Sequence, residues 1–195
     1  MERLNPETTA LVVVDVQRAF ARWERTGAVR NNPDALQRIA DLIERFRRAR
    51  AFIFHIRHRG TSPESFFRGE GCEPMPEAAE RQGEPVLWKS VNSSFIGTDL
   101  EQRLRDRGIR TVVICGATSN HCVETTTRMA GNLGFDAKFV CDATWTFDRR
   151  GPDGKLHRAD DIQAMTESNL SGEFAEIVTT AEILSGMPTA KEAVR

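Results

Sequence analysis

The stretch "TVVICGATSNHCVETT", residues 111–126, joins an apolar run to a helical pattern through a turn of small residues. A short, uninterrupted apolar run is typical of a strand that is buried on both faces of a parallel sheet. The residues after the turn, 120–133, predict a helix that Gly134 ends. A strand that passes directly into a helix predicts an α/β protein.

The same alternation of strand and helix extends over the whole chain. The predicted strands are residues 10–15, 51–56, 85–89, 111–115, 136–142 and 176–180. The predicted helices follow Asn32-Pro33, follow Thr98 as far as Gly108, occupy residues 120–133 and about 158–169, and follow the last strand. This order predicts an α/β fold of three layers, Rossmann-like and doubly wound, with a mainly parallel six-stranded sheet and helices on both faces.

Two helix starts carry local signals. Asn32 precedes Pro33, which predicts an N-cap with proline in the first helical position. Thr98 and Glu101 have the spacing of a capping box. A polar loop is predicted between residues 148 and 154, which include glycine and proline.

Composition limits the class of protein. The 195 residues are 39% hydrophobic and 28% charged, which predicts one globular domain over residues 1–195, with a frayed tail after about residue 186. A net charge of -1 gives no electrostatic reason to expect nucleic acid or a membrane as a partner. The expected partner is a small-molecule substrate. No signal segment or membrane-length apolar run is seen, which predicts a cytoplasmic protein.

The four cysteines lack CxxC spacing, and free thiols are expected. Cys115 and Cys141 are interpreted as buried small hydrophobes, and Cys72 as an incidental exposed thiol. Cys122 differs because it opens a helix, where unpaired N–H groups and the dipole favour a thiolate.

Three polar side chains are expected at the carboxyl ends of strands, where ligands bind in such sheets: Asp15, Lys89 and Cys122. Position alone leaves alternatives open, because an aspartate there often caps a turn and a lysine is usually solvated. If the three meet, Asp15 can exchange a proton with Cys122, and backbone amides near residues 118 and 122 can bind a developing oxyanion.

Four segments carry a resemblance to a known family: "LVVVDVQRAF", "LWKSVNSSFIGTDLEQRL", "VVICGATSNHCVETTTRMAGNLGF" and "VCDATWTF". They resemble, in order, the signature segments of the isochorismatase-like cysteine hydrolases, which include nicotinamidases and N-carbamoylsarcosine amidohydrolase. The resemblance covers roughly residues 8–185. It implies a catalytic triad of Asp15, Lys89 and Cys122, a cis bond between Ala117 and Thr118, an oxyanion hole of the Thr118 and Cys122 amides, and no cofactor.

Departures from the family pattern also limit the reactions that are expected. Nicotinamidases of the family carry an Asp-x-His metal site after the second strand, whereas this chain has "HIRHRGTSPES" there. His55 and His58 lack a carboxylate at that spacing, and Arg57 and Arg59 would repel a cation, so no metal is expected. Members that act on isochorismate lack the cysteine. The expected reaction is therefore hydrolysis of a C–N bond in a small amide or carbamoyl compound through a thioester.

Residues of the substrate pocket are predicted less directly. The candidates are Phe20, Trp23, Asn120 and Phe147, with further aromatic residues at Phe66, Phe67, Trp88 and Trp145. Core packing or subunit contact explains any single aromatic equally well. His121 is interpreted as a packing or hydrogen-bonding residue rather than a base. Arg57 and Arg59 are interpreted as solvated loop residues; the alternative is that one of them binds a substrate carboxylate.

Alternatives from other classes stay open at this point. A flavodoxin-like nucleotide binder is disfavoured because no strand leads into G-x-G-x-x-G or a Walker loop. A non-catalytic or redox-sensing domain, in which Cys122 reacts with oxidants, is a second alternative, and a metal-free nicotinamidase is a third. Members of the family commonly form dimers or tetramers, so a homodimer or homotetramer is expected, in which residues 57–84 complete a neighbour's pocket.

Overall fold

The computed structural model describes residues 3–189 and has an α/β fold. The strands are β1 (Thr9–Val14), β2 (Phe52–His58), β3 (Val86–Lys89), β4 (Thr111–Ala117), β5 (Asp136–Trp145), β6 (Arg149–Arg150), β7 (Leu156–His157) and β8 (Glu176–Val178). The α-helices are α1 (Arg18–Glu24), α2 (Ala35–Arg48), α3 (Leu100–Asp106), α4 (Glu124–Asn132), α5 (Ala159–Leu170) and α6 (Thr180–Gly186).

Six strands form the main sheet in the order β3-β2-β1-β4-β5-β8, and all five pairings are parallel. The chain runs outward from β1 to β3 and then returns to the other side of β1 with β4. The order of connections therefore reverses between β1 and β4, where ligands bind in doubly wound sheets. The predicted six-stranded, doubly wound fold is confirmed.

The sheet separates two hydrophobic cores. Every residue of β1 is buried, and its side chains alternate between the two faces. Leu11 and Val13 pack with α2 and α6, whereas Val12 and Val14 pack with residues of α3 and α4. Burial on both faces explains why β1 and β4 are continuous apolar runs in the sequence.

The predicted start of α2 is wrong. The helix begins at Ala35, with Asp34 at the N-cap, and Asn32 lies outside it with φ 45°. Asn32 Nδ2 instead donates to the carbonyl oxygens of Cys141 and Thr144, at 2.9 and 2.7 Å. The Asn32 side chain therefore bonds backbone carbonyls of β5, which is distant in sequence, and does not cap the helix.

The predicted capping box at residues 98–101 is also not formed. Helix α3 begins at Leu100, and the hydroxyl of Thr98 accepts from the Leu100 N–H at 3.3 Å and donates to the Ser94 carbonyl. Glu101 accepts from Arg105 one turn later in the helix. A complete capping box occurs at α6 instead, between Thr179 and Glu182.

Several boundaries differ from the sequence prediction. Helix α1 and the antiparallel pair β6–β7, which lies partly within the predicted polar loop, were not predicted. Strands β2, β4 and β5 run two or three residues beyond their predicted ends. The tail after residue 186 falls largely outside the described residues, because these end at residue 189. Within residues 3–189, no helix has the length and apolar character needed to cross a bilayer.

Candidate active site

Asp15 and Lys89 meet at the carboxyl edge of the sheet. Asp15 follows β1 directly, with φ 53°, and its N–H donates to the Ile56 carbonyl of β2 at 3.0 Å. Lys89 ends β3, two strands away, and its long side chain reaches across the end of β2. Lys89 Nζ donates to Asp15 Oδ2 at 2.6 Å, and both side chains are almost completely buried.

Cys122 reaches the same point through the turn after β4. Gly116 has φ 118°, and a Cβ on it would lie 2.0 Å from the Val14 carbonyl oxygen, so the position requires glycine. The Ala117–Thr118 peptide bond is cis, as the resemblance implied. The chain then enters a single π-helical turn, Ser119–Val123, before α4. The predicted helix of residues 120–133 thus begins with a π turn.

The three side chains predicted from strand ends are brought together. The sulfur of Cys122, a carboxylate oxygen of Asp15 and a ring nitrogen of His58 all lie within 4.8 Å of one another. Cys122 Sγ also lies 3.8 Å from Asn92 Oδ1. Asp15 Oδ1 is buried and has no hydrogen-bond partner among residues 3–189, so this oxygen is available to a proton on a neighbouring group.

The helix start and Lys89 were expected to favour a thiolate at Cys122, and the Asp15 carboxylate to oppose it; burial adds to that opposition. Burial, and secondarily the Asp15 carboxylate, raise the pKa of the Cys122 thiol to about 12, while Lys89 opposes that rise. Burial also raises the pKa of Asp15, although Lys89 lowers it in part. Desolvation and the facing carboxylate outweigh the helix start. The resting sulfur is therefore a thiol, and it faces a carboxylate whose affinity for protons is increased.

The amides proposed as an oxyanion hole lie at the start of this helical segment. The Thr118 carbonyl accepts from the N–H groups of His121 and Val123, at 3.1 and 3.2 Å. This carbonyl is therefore directed into the helical turn. The oxyanion role of the Thr118 and Cys122 amides stays a prediction.

The predicted pocket residues fall into different environments. Phe20 and Phe147 are buried in the first core, and their ring centroids are 6.0 Å apart. They contribute to core packing, which is the alternative that the sequence left open. Trp23 is 36% exposed and lies against Phe147 with ring centroids 4.7 Å apart. Asn120 Oδ1 accepts from the Thr146 hydroxyl at 2.6 Å, which joins the helical turn to the end of β5.

A cavity of about 440 Å³ opens beside Lys89 and is lined in part by Arg59, Trp88 and Ile96. The Arg59 guanidinium lies 4.5 Å from the centroid of the Trp88 ring. Arg57 also lies over that ring and is paired with Glu80. This cavity is a candidate for the part of a substrate that extends beyond the reacting bond.

His55 and His58, considered as a pair in the sequence, separate in the structure. The His55 ring is buried and bonds Glu84 through Nε2 at 2.9 Å, away from the site. His58 lies at the site, with Nδ1 3.4 Å from Lys89 Nζ. Within residues 3–189, Asp15, His58 and Cys122 are the one group of three side chains close enough to share a metal ion. Lys89 Nζ lies 2.6 Å from Asp15 Oδ2 and 3.4 Å from His58 Nδ1, and its positive charge would repel a metal ion, so the group does not fit a metal.

His121 is bonded in the way expected of a structural residue. Its Nε2 lies 2.6 Å from Arg149 Nη1, and its Nδ1 lies 3.3 Å from the Thr118 hydroxyl. Burial, and then the charge of Arg149, lower the pKa of His121.

The other cysteines are free thiols, as expected. Cys115 is fully buried, and burial raises its pKa above the usual value. Two interpretations are corrected: Cys141 is partly exposed rather than buried, and Cys72 is half-buried, with its thiol donating to the Phe67 carbonyl at 3.1 Å.

Two residues of the site were given no role by the sequence interpretation, although Gln17 belongs to an Asp-x-Gln motif in a segment that carries the resemblance. Gln17 is completely buried, and its side chain accepts from the His58 N–H at 2.8 Å and donates to the His58 carbonyl at 2.9 Å. Asn92 was not singled out either. Asn92 lies three residues after Lys89, within a segment that carries the resemblance, and this position could have indicated that it is part of the site.

The fold and the cluster together define a class: a doubly wound α/β protein with a thiol, a carboxylate and an ammonium at its switch point. The family model "Isochorismatase domain" matches residues 9–182, and the chain belongs to the isochorismatase family of hydrolases. It is 39% identical to the uncharacterized isochorismatase family protein YrdC of Bacillus subtilis, over 92% of this chain and 96% of that protein.

Two further comparisons extend this relationship. The chain is 30% identical to Nicotinamidase 3 of Arabidopsis thaliana, over 89% of this chain and 86% of the relative. A crystal structure from Chromobacterium violaceum, assigned to the isochorismatase family, superposes with a TM-score of 0.90 at 36% identity, covering 95% of this chain and 96% of the other.

Proposed function

We propose that this protein is a cysteine-dependent hydrolase that cleaves a C–N bond of a small amide or carbamoyl compound through a thioester. The observation that carries the proposal is the placement of the Cys122 sulfur within 4.8 Å of a buried carboxylate that is bonded to Lys89 through Oδ2 and has no partner for Oδ1 among the described residues. A relative named as a nicotinamidase supports an amide as the substrate.

The first step forms the thioester. Asp15 takes the thiol proton as Cys122 Sγ attacks the carbonyl carbon, and an oxyanion develops on the carbonyl oxygen. When the intermediate collapses, the C–N bond breaks, and Asp15 gives its proton to the departing nitrogen, which leaves as ammonia or an amine. Burial raises the pKa of Asp15, which makes its carboxylate a stronger base towards the thiol proton, while the raised pKa of Cys122 opposes removal of that proton.

The second step releases the acid. Asp15 takes a proton from water, the resulting hydroxide attacks the thioester carbon, and the C–S bond breaks. The proton on Asp15 returns to sulfur, so the enzyme is restored and one water is consumed. The Lys89 ammonium, which lies 2.6 Å from the carboxylate, balances the negative charge that moves between Asp15 and Cys122 in both steps.

The test is a screen of small primary amides, carbamoyl compounds, lactams and nicotinamide, scored by release of ammonia. For a substrate found in this way, we expect Cys122→Ala to reduce turnover about 1,000-fold or more, because the covalent step is lost. Cys72→Ala is the matched control, since Cys72 is a free, half-buried thiol outside the cluster, and it should retain activity.

The intermediate can be observed directly. Acid quenching during turnover should trap the thioester. Mass spectrometry should then show the peptide that contains Cys122 heavier by the mass of the acyl group. Full turnover by Cys122→Ala would contradict the covalent mechanism. Reaction of Cys122 with peroxide, without turnover of any amide, would instead favour the redox-sensing alternative.

A further inference from the structure

His58 is placed by the register of two strands at the centre of the site. In the pairing of β2 with β3, His58 is the direct partner of Lys89. Its side chain therefore extends on the same face as the lysine, and Nδ1 lies 3.4 Å from Lys89 Nζ. The two-step mechanism proposed above gives this imidazole no part, although a ring nitrogen lies within 4.8 Å of both the Cys122 sulfur and an Asp15 carboxylate oxygen.

The imidazole is held from several directions. Gln17 fixes the backbone of His58 through both the N–H and the carbonyl. The ring of Phe67 packs against the imidazole in an edge-on arrangement, with centroids 5.1 Å apart. The backbone of Val91 also interacts with the ring and raises the pKa of His58. A side chain held by so many partners keeps one orientation, which is what a residue that aims another group requires.

The bonding pattern defines the protonation state of the ring. An ammonium can only donate, so Nδ1, which faces Lys89 Nζ at 3.4 Å, carries no proton, and the proton of the neutral ring is on Nε2. Burial and the charge of Lys89 lower the pKa of His58, although Asp15 opposes this in part. The charged and titratable groups around the ring are Asp15, Lys89 and Cys122. The ring is then neutral at physiological pH, and Nδ1 presents a lone pair to the ammonium.

We propose that His58 is a positioning residue whose neutral imidazole accepts a hydrogen bond from Lys89 through Nδ1. With Asp15 Oδ2 as the second acceptor, this bond fixes the position of the ammonium beside the carboxylate. The effect on catalysis rests on the proposed function, whereas the hydrogen bond and its effect on the thiol do not.

The effect on the thiol follows from electrostatics. The positive charge of Lys89 is what lowers the pKa of Cys122 against burial and the Asp15 carboxylate. If the ammonium loses one of its two acceptors, its average position moves away, and the thiolate becomes harder to form.

The first experiment compares two variants by alkylation of Cys122 with iodoacetamide as a function of pH, followed by mass spectrometry of the Cys122 peptide. In His58→Leu, which has no acceptor, we expect alkylation at pH 8 to slow about tenfold, corresponding to one unit in pKa. In His58→Asn, an amide oxygen replaces Nδ1 and should restore most of the rate. Equal rates in His58→Leu and the unaltered protein would overturn the proposal.

Controls separate positioning from a loss of structure. His157→Asn changes an exposed histidine on β7 and should leave the alkylation profile unchanged. Thermal unfolding of each variant reports whether it is folded. Once a substrate is known, His58→Leu should lower kcat with little change in KM, because Lys89 acts on the reacting groups rather than on binding.

A second measurement needs neither a variant nor a substrate. Nuclear magnetic resonance of the imidazole nitrogens in the unaltered protein should show His58 neutral, with the proton on Nε2, at pH 7. A proton on Nδ1, or a doubly protonated ring, would overturn the proposal even if amide hydrolysis is established. Conversely, the expected tautomer in a protein that hydrolyses no amide would contradict only the proposed function.

Discussion

Lys89 is the residue on which the charge balance of the site depends. Its ammonium is fully buried, and removing it leaves the Asp15 carboxylate buried without a counter-ion. We expect Lys89→Met to lower turnover at least about 100-fold, as loss of one group that stabilises developing charge does. Assays of ammonia release on the substrate found by the screen measure this loss, and unchanged turnover would contradict the role of Lys89.

The same variant has a stability signature with a defined direction. Without Lys89, the pKa of Asp15 rises further above its unfolded value, so the folded state favours the protonated acid. The free energy of unfolding of the variant is then highest below about pH 4 and falls as pH rises. At pH 8 it should be about 3 kcal/mol lower than at pH 4 because of this group. Urea unfolding at pH 4 and pH 8 measures the difference. The double variant Asp15→Asn/Lys89→Met should lose the pH dependence and stay inactive.

At the scale of elements, the end of β4 tolerates substitution less than the helix that follows it, because Gly116 lies there with a positive φ. Gly116→Ala would place a methyl group 2.0 Å from the Val14 oxygen at φ 118°. We expect it to cost more than about 3 kcal/mol and to displace Cys122. Gly154→Ala is the matched control, because φ is 79° there and nothing lies within 4 Å, and it should cost about 1 kcal/mol. Equal unfolding free energies for the two variants would contradict the steric argument.

The elements also show what the sequence could and could not predict. The six strands and the three strand-end residues were predictable because apolar runs and their polar ends are local signals. The contacts of Gln17 were not, since its partners His58 and Cys72 lie 41 and 55 residues away. The failed N-cap at Asn32 has the same cause, a partner on β5. The burial that raises the pKa of Cys122 was not predicted, because it is a property of the assembled site.

At the scale of the whole molecule, a second polar network joins separate elements away from the site. The carboxylate of Glu84 accepts from Arg47 of α2 at 2.7 and 2.8 Å. It also bonds His55 of β2 at 2.9 Å and the Arg81 N–H at 2.9 Å. These bonds connect the loop before β3 to α2 and β2. They therefore support the edge strand that carries Lys89.

This network predicts how the stability of the whole fold depends on acidity. The bonds from Arg47, the Arg81 N–H and His55 outweigh burial and lower the pKa of Glu84 from 4.5 to about 2. A depressed pKa means that the stabilisation is complete above about pH 4.5 and is lost as pH falls towards 2. We expect Glu84→Gln to lower the unfolding free energy at pH 7 by about 2 kcal/mol, the scale of hydrogen bonds to a charged group that is partly exposed.

Urea unfolding of Glu84→Gln and the unaltered protein, repeated from pH 7 to pH 2.5, tests this. The two curves should converge as the pH falls below 4.5, because protonation removes from the unaltered protein what the substitution has already removed. Glu44→Gln is the control, since Glu44 pairs with Arg48 on the surface and should change stability much less. A gap between the Glu84→Gln and unaltered curves that persists down to pH 2.5 would show that shape, rather than charge, makes Glu84 important to the fold.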